Sequence, residues 1–242
     1  MFISGFHSVS SQISSHIETI SEVFIQDGRD DKRVAELVHI LKNNQINISR
    51  LGKDKLSKLV DNTSHQGIVA KVLLPNIASD NELKFFVKND LKLILMLDNI
   101  TDPRNLGACF RSANAFNVDC VIIAKDGCAA INETTYKTSA GSINDLKIFQ
   151  VTNISRTIKL LQQNNFWVLG LDGDTSEEIN NQNFSTPHAL VMGSEGKGLR
   201  PLTKKSCDFL VKIPMLGTVE SLNVAVATGI SLFTARNNQN QK

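Results

Sequence analysis

The apolar positions of this chain follow two different rhythms. Up to about residue 74 the runs are short and interrupted. Three of them, 22–27 (EVFIQD), 46–51 (INISRL) and 68–73 (IVAKVL), are rich in β-branched residues and predict strands. Between the first two, Val34, Leu37, Val38 and Leu41 recur at i, i+3, i+4 and i+7, which puts them on one face of a helix. A shorter helix fits 53–60. This half predicts a small α/β unit.

From residue 91 the runs become continuously apolar: LKLILML (91–97), CVIIA (120–124), LKIFQV (146–151), FWVLGL (166–171), ALVMG (189–193) and DFLVKIP (208–214). They alternate with helical stretches. A strand without a polar face is covered on both sides, so a mainly parallel sheet wrapped by helices is expected. Between the halves, PNIASDNELKFFVKND (75–90) opens with Pro75, is mostly polar and has no sustained period. It predicts a linker. The expected organisation is thus 1–74, a linker over 75–90, and a second domain over 91–242. The polar tail NNQNQK is expected to fray.

Composition narrows the class. The 242 residues are 41% hydrophobic and 21% charged, a globular balance, and no run of 18 or more apolar residues points to a membrane span. The opening MFISGFHSVSSQ lacks a basic segment followed by an apolar one, so no secretory signal is expected and the cytoplasm is the default location. Cys109, Cys120, Cys128 and Cys207 form no C-x-x-C pair and have no nearby histidine, so they are expected as small buried hydrophobes and no metal is expected. The net charge of +2 neither demands nor excludes nucleic acid, because a basic face can hide in an average.

An α/β domain of this kind often binds a nucleotide just after its first strand, through G-x-G-x-x-G. Here that strand is followed by LDNITDPRNLGA, without the pattern. GSEGKG (193–198) is no phosphate loop either, since its lysine stands too close to the first glycine. Three other clusters carry possible chemistry. In LDNITDPRNLGACFRSANAF (97–116) a helix is expected near Asn105, with Asn105 as its cap and Arg111 inside it. LVMGSEGKGLRPL (190–202) opens a buried strand into three glycines, with Glu195 and Lys197 between them. In PMLGTVESLNVAVATGISLF (214–233), Ser221 is a plausible cap for a helix starting at Leu222. Asn223 then stands in the first turn, where its propensity is poor, so a specific bond is expected of it.

Taken in this order, NxxDPxNLGAxxRSA, MGxEGxGLR and IPMxGxxxSLNVxVAxGI resemble the signature motifs of the SpoU (TrmH-type) branch of the SPOUT RNA methyltransferases. In the first half, GFHSV (5–9), GRDDKR (28–33) and HQGIVAKV (65–72) resemble the substrate-binding domain of members acting on 23S rRNA. The tRNA 2′-O-methyltransferase TrmH, to which the resemblance is less good, lacks that domain. The resemblance implies a deep trefoil knot in a parallel-sheet SPOUT domain, preceded by a small L30e-like RNA-binding domain. It implies S-adenosyl-L-methionine as methyl donor, held in loops around Gly170, Gly193–Gly198 and Ile213–Leu222. Gly193, Ile213 and Leu222 match adenine- and ribose-holding positions, with Gly170, Gly198 and Met215 in the same set.

It further implies transfer of a methyl group to the ribose 2′-hydroxyl of a guanosine in the peptidyl-transferase P loop of 23S rRNA, by a homodimer joined through the knotted domain. Arg111 matches the residue that contacts the reacting ribose, and either takes its proton or stabilises the alkoxide. Asn105, Glu195, Ser221 and Asn223 match the other active-site positions, with Glu195 expected to steer Arg111 or orient its loop. Arg29, Arg33 and His65, with Lys32, Arg50 and Lys53, are candidate RNA contacts. The apolar last helix, 222–236, suits either a dimer interface or ordinary core packing. Two departures stand out: KTSAGSIN (137–144) has Ser142 and Asn144 where the family often has alanine and glutamate, and Glu220 stands where serine is frequent. A related ribose methyltransferase of rRNA or tRNA, and a non-catalytic RNA-binding assembly factor with the same fold, are the alternatives.

Overall fold

The computed structural model describes residues 1–60 and 65–240. They divide into two compact units, Met1–Pro75 with Asn132–Asn144, and Asn76–Ile131 with Asp145–Lys242.

The first unit holds β1 (Phe2–Ser4), α1 (Phe6–Ser15), β2 (Ile20–Gln26), α2 (Lys32–Asn43), β3 (Asn47–Leu51), α3 (Lys53–Val60) and β4 (Ile68–Val72). The sheet runs β1-β4-β2-β3, with β2 and β3 parallel and β4 antiparallel to both its neighbours. Asp31 starts α2 by accepting a bond from the Val34 N–H, and Val34, Leu37 and Leu41 are buried, as their spacing requires. β1 went unread in the sequence because three strand residues carry no measurable period, and α1 because five of its ten residues are serine. The unit also takes in residues 132–144. There Asn132 caps a short helix, Glu133–Thr138, whose Glu133 and Lys137 pair at 2.7 Å and both meet Ser4.

The second unit begins with β5 (Ile77–Ser79) and α4 (Asp80–Phe86), so residues 75–90 are not the linker expected from their polarity. α4 is set by a capping box, in which Ser79 and Glu82 bond each other's backbone ends, and Ala78, Leu83 and Val87 reach the core. The remaining strands are β6 (Leu93–Leu97), β7 (Cys120–Ala124), β8 (Ile148–Val151), β9 (Trp167–Leu171), β10 (His188–Met192) and β11 (Phe209–Val211). All seven pair in parallel, in the order β11-β9-β10-β6-β7-β8-β5. Every residue of β6, β7 and β10 is buried, which explains their unbroken apolar runs. The principal helices are α5 (Pro103–Ala115), α7 (Ile154–Gln163), α8 (Pro201–Ser206) and α9 (Val224–Asn240), and α6 is the helix Glu133–Thr138 of the first unit. The tail expected to fray is helical through residue 240, and Gln241 and Lys242 lie outside the described residues. Among the described residues no helix is long and apolar enough to cross a membrane.

The strand order fixes where a ligand can enter. From β6 the chain moves outward on one side through β7 and β8. It then returns on the other side, through β9 and β10. The connections leaving β6 and β10 therefore diverge. An open parallel sheet binds ligands at such a switch point, beyond the C-terminal ends of its strands.

Candidate active site at the C-terminal ends of the strands

α5 begins two residues earlier than expected. Asp102 is its cap, accepting the Arg104 N–H at 2.8 Å, and Pro103 fills the first turn, where no N–H is needed. Asn105 is thereby released from capping and points its amide elsewhere. The last helix shows the reverse correction. It starts at Val224, and Asn223, not Ser221, caps it, through a 2.9 Å bond from the Ala225 N–H to Asn223 Oδ1. That bond orients the amide. Asn223 Nδ2 must face away, and it donates to Asn105 Oδ1 at 2.9 Å and to Glu195 Oε2 at 3.2 Å. Asn105 Nδ2 then donates to the same Glu195 oxygen at 3.2 Å. Three residues up to 118 positions apart meet in one polar cluster, each donor and acceptor assigned by the next.

Glu195 sits on a tight turn. Ser194 and Gly198 exchange backbone bonds at 2.9 and 3.0 Å, and Gly196 and Gly198 have φ of +78° and +64°. Gly193 precedes the turn, and a Cβ there would collide with the Gly198 and Leu199 backbone. The turn is anchored below by Asp98, fully buried at the end of β6, which pairs with Arg200 at 2.5 Å and accepts the Thr203 hydroxyl at 2.7 Å.

A cleft of about 420 Å³ opens beside this turn. The loops after β9, β10 and β11 line it, together with the start of α9. Of the candidate cofactor residues it gathers Gly193, Gly198, Ile213, Met215 and Leu222, and of the catalytic candidates Glu195 and Ser221. Gly170 lies outside it. A Cβ at this position would press on Leu199, Cys207 and Leu210. Arg111 also lies outside. It is exposed on α5 and has no hydrogen bond or ion pair among the described residues, so the expected link from Glu195 to Arg111 is not made within the chain. The cleft also contains residues the motifs did not flag, Asp172 and Lys204, which form an ion pair. An acidic residue directly after the apolar run 166–171, at a strand's C-terminal end, was the available signal.

In the first unit, His65 is 1% exposed. Its Nδ1 accepts the Gly67 N–H at 3.0 Å and its Nε2 meets Ser57 Oγ at 3.1 Å, so it braces a turn and is not free to meet RNA. Arg29 is also engaged: it bonds Asp31 at 3.0 Å and lies over the Phe6 ring. That pairing holds the exposed Asp31 carboxyl below its usual range. Arg33 remains exposed. Burial pushes the thiols of Cys109 and Cys207 up to about 11 and about 12 and raises Cys120 and Cys128 as well, which suits inert packing groups. Among the described residues no group of His, Cys, Asp and Glu could hold a metal.

Comparison with known proteins gives the geometry a context. The model of the SpoU rRNA Methylase family matches residues 92–233, and that of RNA 2′-O ribose methyltransferase substrate binding matches residues 2–77. The chain is 41% identical over 234 residues to the 23S rRNA (guanosine-2′-O-)-methyltransferase RlmB of Escherichia coli (strain K12), covering 96% of each chain. It is 42% identical over 233 residues to RlmB of Haemophilus influenzae, covering 96% of this chain and 95% of the relative. Among solved structures, the SpoU methyltransferase AviRb from Streptomyces viridochromogenes in complex with AdoMet has a TM-score of 0.79 at 22% identity, over 100% of this chain and 91% of that one.

Proposed function

Since the chain belongs to the SpoU rRNA methylase family, we propose that it methylates the ribose 2′-hydroxyl of a guanosine in 23S rRNA, within the peptidyl-transferase P loop, using S-adenosylmethionine. The observation that carries the reading is the meeting of Asn105, Glu195 and Asn223 on the rim of a cleft at the sheet's switch point. The substrate-binding match over residues 2–77 and the full-length similarity to rRNA enzymes favour this over a tRNA substrate or a binding factor.

The cleft suits the donor. Its volume is that of a small-molecule site, and Leu171, Met192, Ile213, Met215 and Leu222 supply the apolar walls a flat heterocycle needs. When bound, S-adenosylmethionine supplies an electrophilic methyl group on its sulfonium. Gly193, Gly198, Ile213, Met215 and Leu222 would hold it, in the loops that the family ties into a trefoil knot.

The chain's own task is to make a ribose hydroxyl nucleophilic and hold it in line. Glu195 Oε2 is fixed by two amide donors, while Oε1 is left with acceptor capacity toward the nucleotide. Ser221, exposed on the cleft wall, orients the nucleotide. Arg111 contacts the reacting ribose and its phosphate, and either takes the proton or stabilises the alkoxide. A guanidinium holds its charge in proteins and is a poor proton acceptor, which favours the second role.

Arg111 does not line the cleft of its own chain, so the proposal includes a homodimer in which each copy supplies Arg111 to the other's site. On α9, Val226, Ile230 and Phe233 are 51%, 37% and 57% exposed and recur at helical spacing, an apolar stripe that a second copy would cover. The first unit, with Arg33 on its surface, positions the RNA through phosphates. The proposed location is the cytoplasm.

The test maps ribose methylation across 23S rRNA and tRNA in cells with and without the protein, then adds back wild type or Arg111→Ala. Loss of a single P-loop guanosine mark, restored by wild type alone, is the expected result. A lost mark elsewhere overturns the substrate, and no lost mark overturns the enzyme.

A further inference from the structure

Four carboxylates line the cleft: Asp172, Asp174, Glu195 and Glu220. Three are exposed. Asp172 alone is buried, at 9% exposure, where β9 ends. It is held on several sides. Its backbone N–H donates to Val211 O at 2.9 Å, its Oδ1 accepts the Asp174 N–H at 2.9 Å, and its Oδ2 pairs with Lys204 Nζ, which reaches down from α8. None of the motifs quoted above and no step above uses either residue.

Burying a carboxylate is costly unless it is paired, and a sheet end has no need of this one: the bond that continues the β9 ladder is made by the Asp172 backbone, whatever its side chain. A carboxylate has about four acceptor positions; Oδ2 is enclosed against Lys204, and the capacity left is at Oδ1, which accepts only the Asp174 N–H. With Lys204 already neutralising it, Asp172 gains little from a second cation. It remains a strong acceptor for neutral donors. Hydroxyls fit that description, and the apolar walls beside it fit a purine. A vicinal diol attached to a flat heterocycle is a nucleoside ribose, the group that acidic residues at strand ends hold in other α/β proteins.

We infer that Asp172, aimed by Lys204, binds the ribose hydroxyls of the methyl donor. The inference rests on the proposed function, since it takes the cleft to be the donor site. It adds one side chain that recognises the sugar to loops that otherwise offer backbone groups.

The test is calorimetric and needs no RNA. S-adenosylhomocysteine and its 2′-deoxy and 3′-deoxy ribose counterparts are titrated into wild type, Asp172→Asn, Asp172→Ala and Lys204→Met, with melting curves to confirm folding. Wild type is expected to prefer the full ribose by about tenfold or more, a hydrogen bond to a charged group. Asp172→Ala is expected to bind all three compounds weakly and alike. Asp172→Asn and Lys204→Met are expected to fall between. A folded Asp172→Ala that keeps the wild-type preference overturns the inference and leaves the proposed function standing. A wild type that binds none of the compounds overturns both.

Discussion

The two ends of the seven-stranded sheet carry similar residues and use them differently. At the N-terminal ends, Asp119 Oδ2 accepts the Lys92 and Leu93 N–H groups, both at 2.7 Å, and Asp208 takes the Val168 N–H at 2.8 Å and the Gln162 amide at 2.9 Å. These carboxylates are consumed by the protein, in starting strands whose first N–H groups have no ladder partner. At the C-terminal ends, Glu195 and Asp172 are held by side chains and one turn N–H, and both line the cleft with acceptor capacity to spare. Asp98 shows that position alone does not decide. It lies at the C-terminal end too, yet it is fully enclosed by Arg200 and Thr203 and serves the fold. What separates a binding carboxylate from a structural one is which face its remaining lone pairs see.

The largest effect that sharpens this contrast is expected at Gly193. Gly193→Ala forces a methyl group into the Gly198 and Leu199 backbone, so the turn carrying Glu195 must open. Donor affinity should fall by about 100-fold or more, which corresponds to about 2.7 kcal/mol, while the strands keep their circular dichroism. Near-normal affinity would mean the turn adapts without cost and is not the binding element.

The smallest effect is expected at the other end. His188 starts β10, buried at 4% exposure, with Nδ1 donating to Thr186 O at 2.6 Å. Burial lowers its pKa below the ordinary 6.5, so the folded protein resists a proton that the unfolded chain accepts. The folded state is therefore at full strength above the unfolded pKa. It loses stability as pH falls through about 6.5, and the loss levels off once the folded pKa is passed. Melting temperatures from pH 8 to pH 5 should show this decline, and His188→Gln should make that part of the profile shallower. An unchanged profile would assign the decline to other groups.

The sheet was legible because fully buried strands leave unbroken apolar runs. Each of the six runs read from residue 91 onward overlaps an observed strand, from β6 to β11. The edge elements β1 and β5 were not, since three residues next to polar loops show no pattern. Neither was the membership of residues 132–144 in the first unit, a matter of tertiary contact. Within the site, the motifs named Asn105, Glu195 and Asn223 but not their geometry. The capping rule pointed to Asn105 and Ser221, whereas Asp102 and Asn223 cap the helices, because several residues at each junction have cap-forming side chains. Asp172 was passed over because one acid after a strand is an ordinary loop residue until the cleft beside it is seen. His65 was offered as an RNA contact because nothing in HQGIVAKV tells that its ring is enclosed.

The most direct measurement compares Glu195→Ala with Asp119→Ala, reading melting temperature and methyl transfer to 23S rRNA per folded molecule. Asp119→Ala strands two backbone donors and should lose about 1–3 kcal/mol of stability, lowering the melting temperature, while each folded molecule transfers methyl groups at nearly the wild-type rate. Glu195→Ala should melt close to wild type and lose most of its transfer. If both variants lose activity only in proportion to their folded fraction, the C-terminal end of the sheet is not where the reaction occurs, and the account fails.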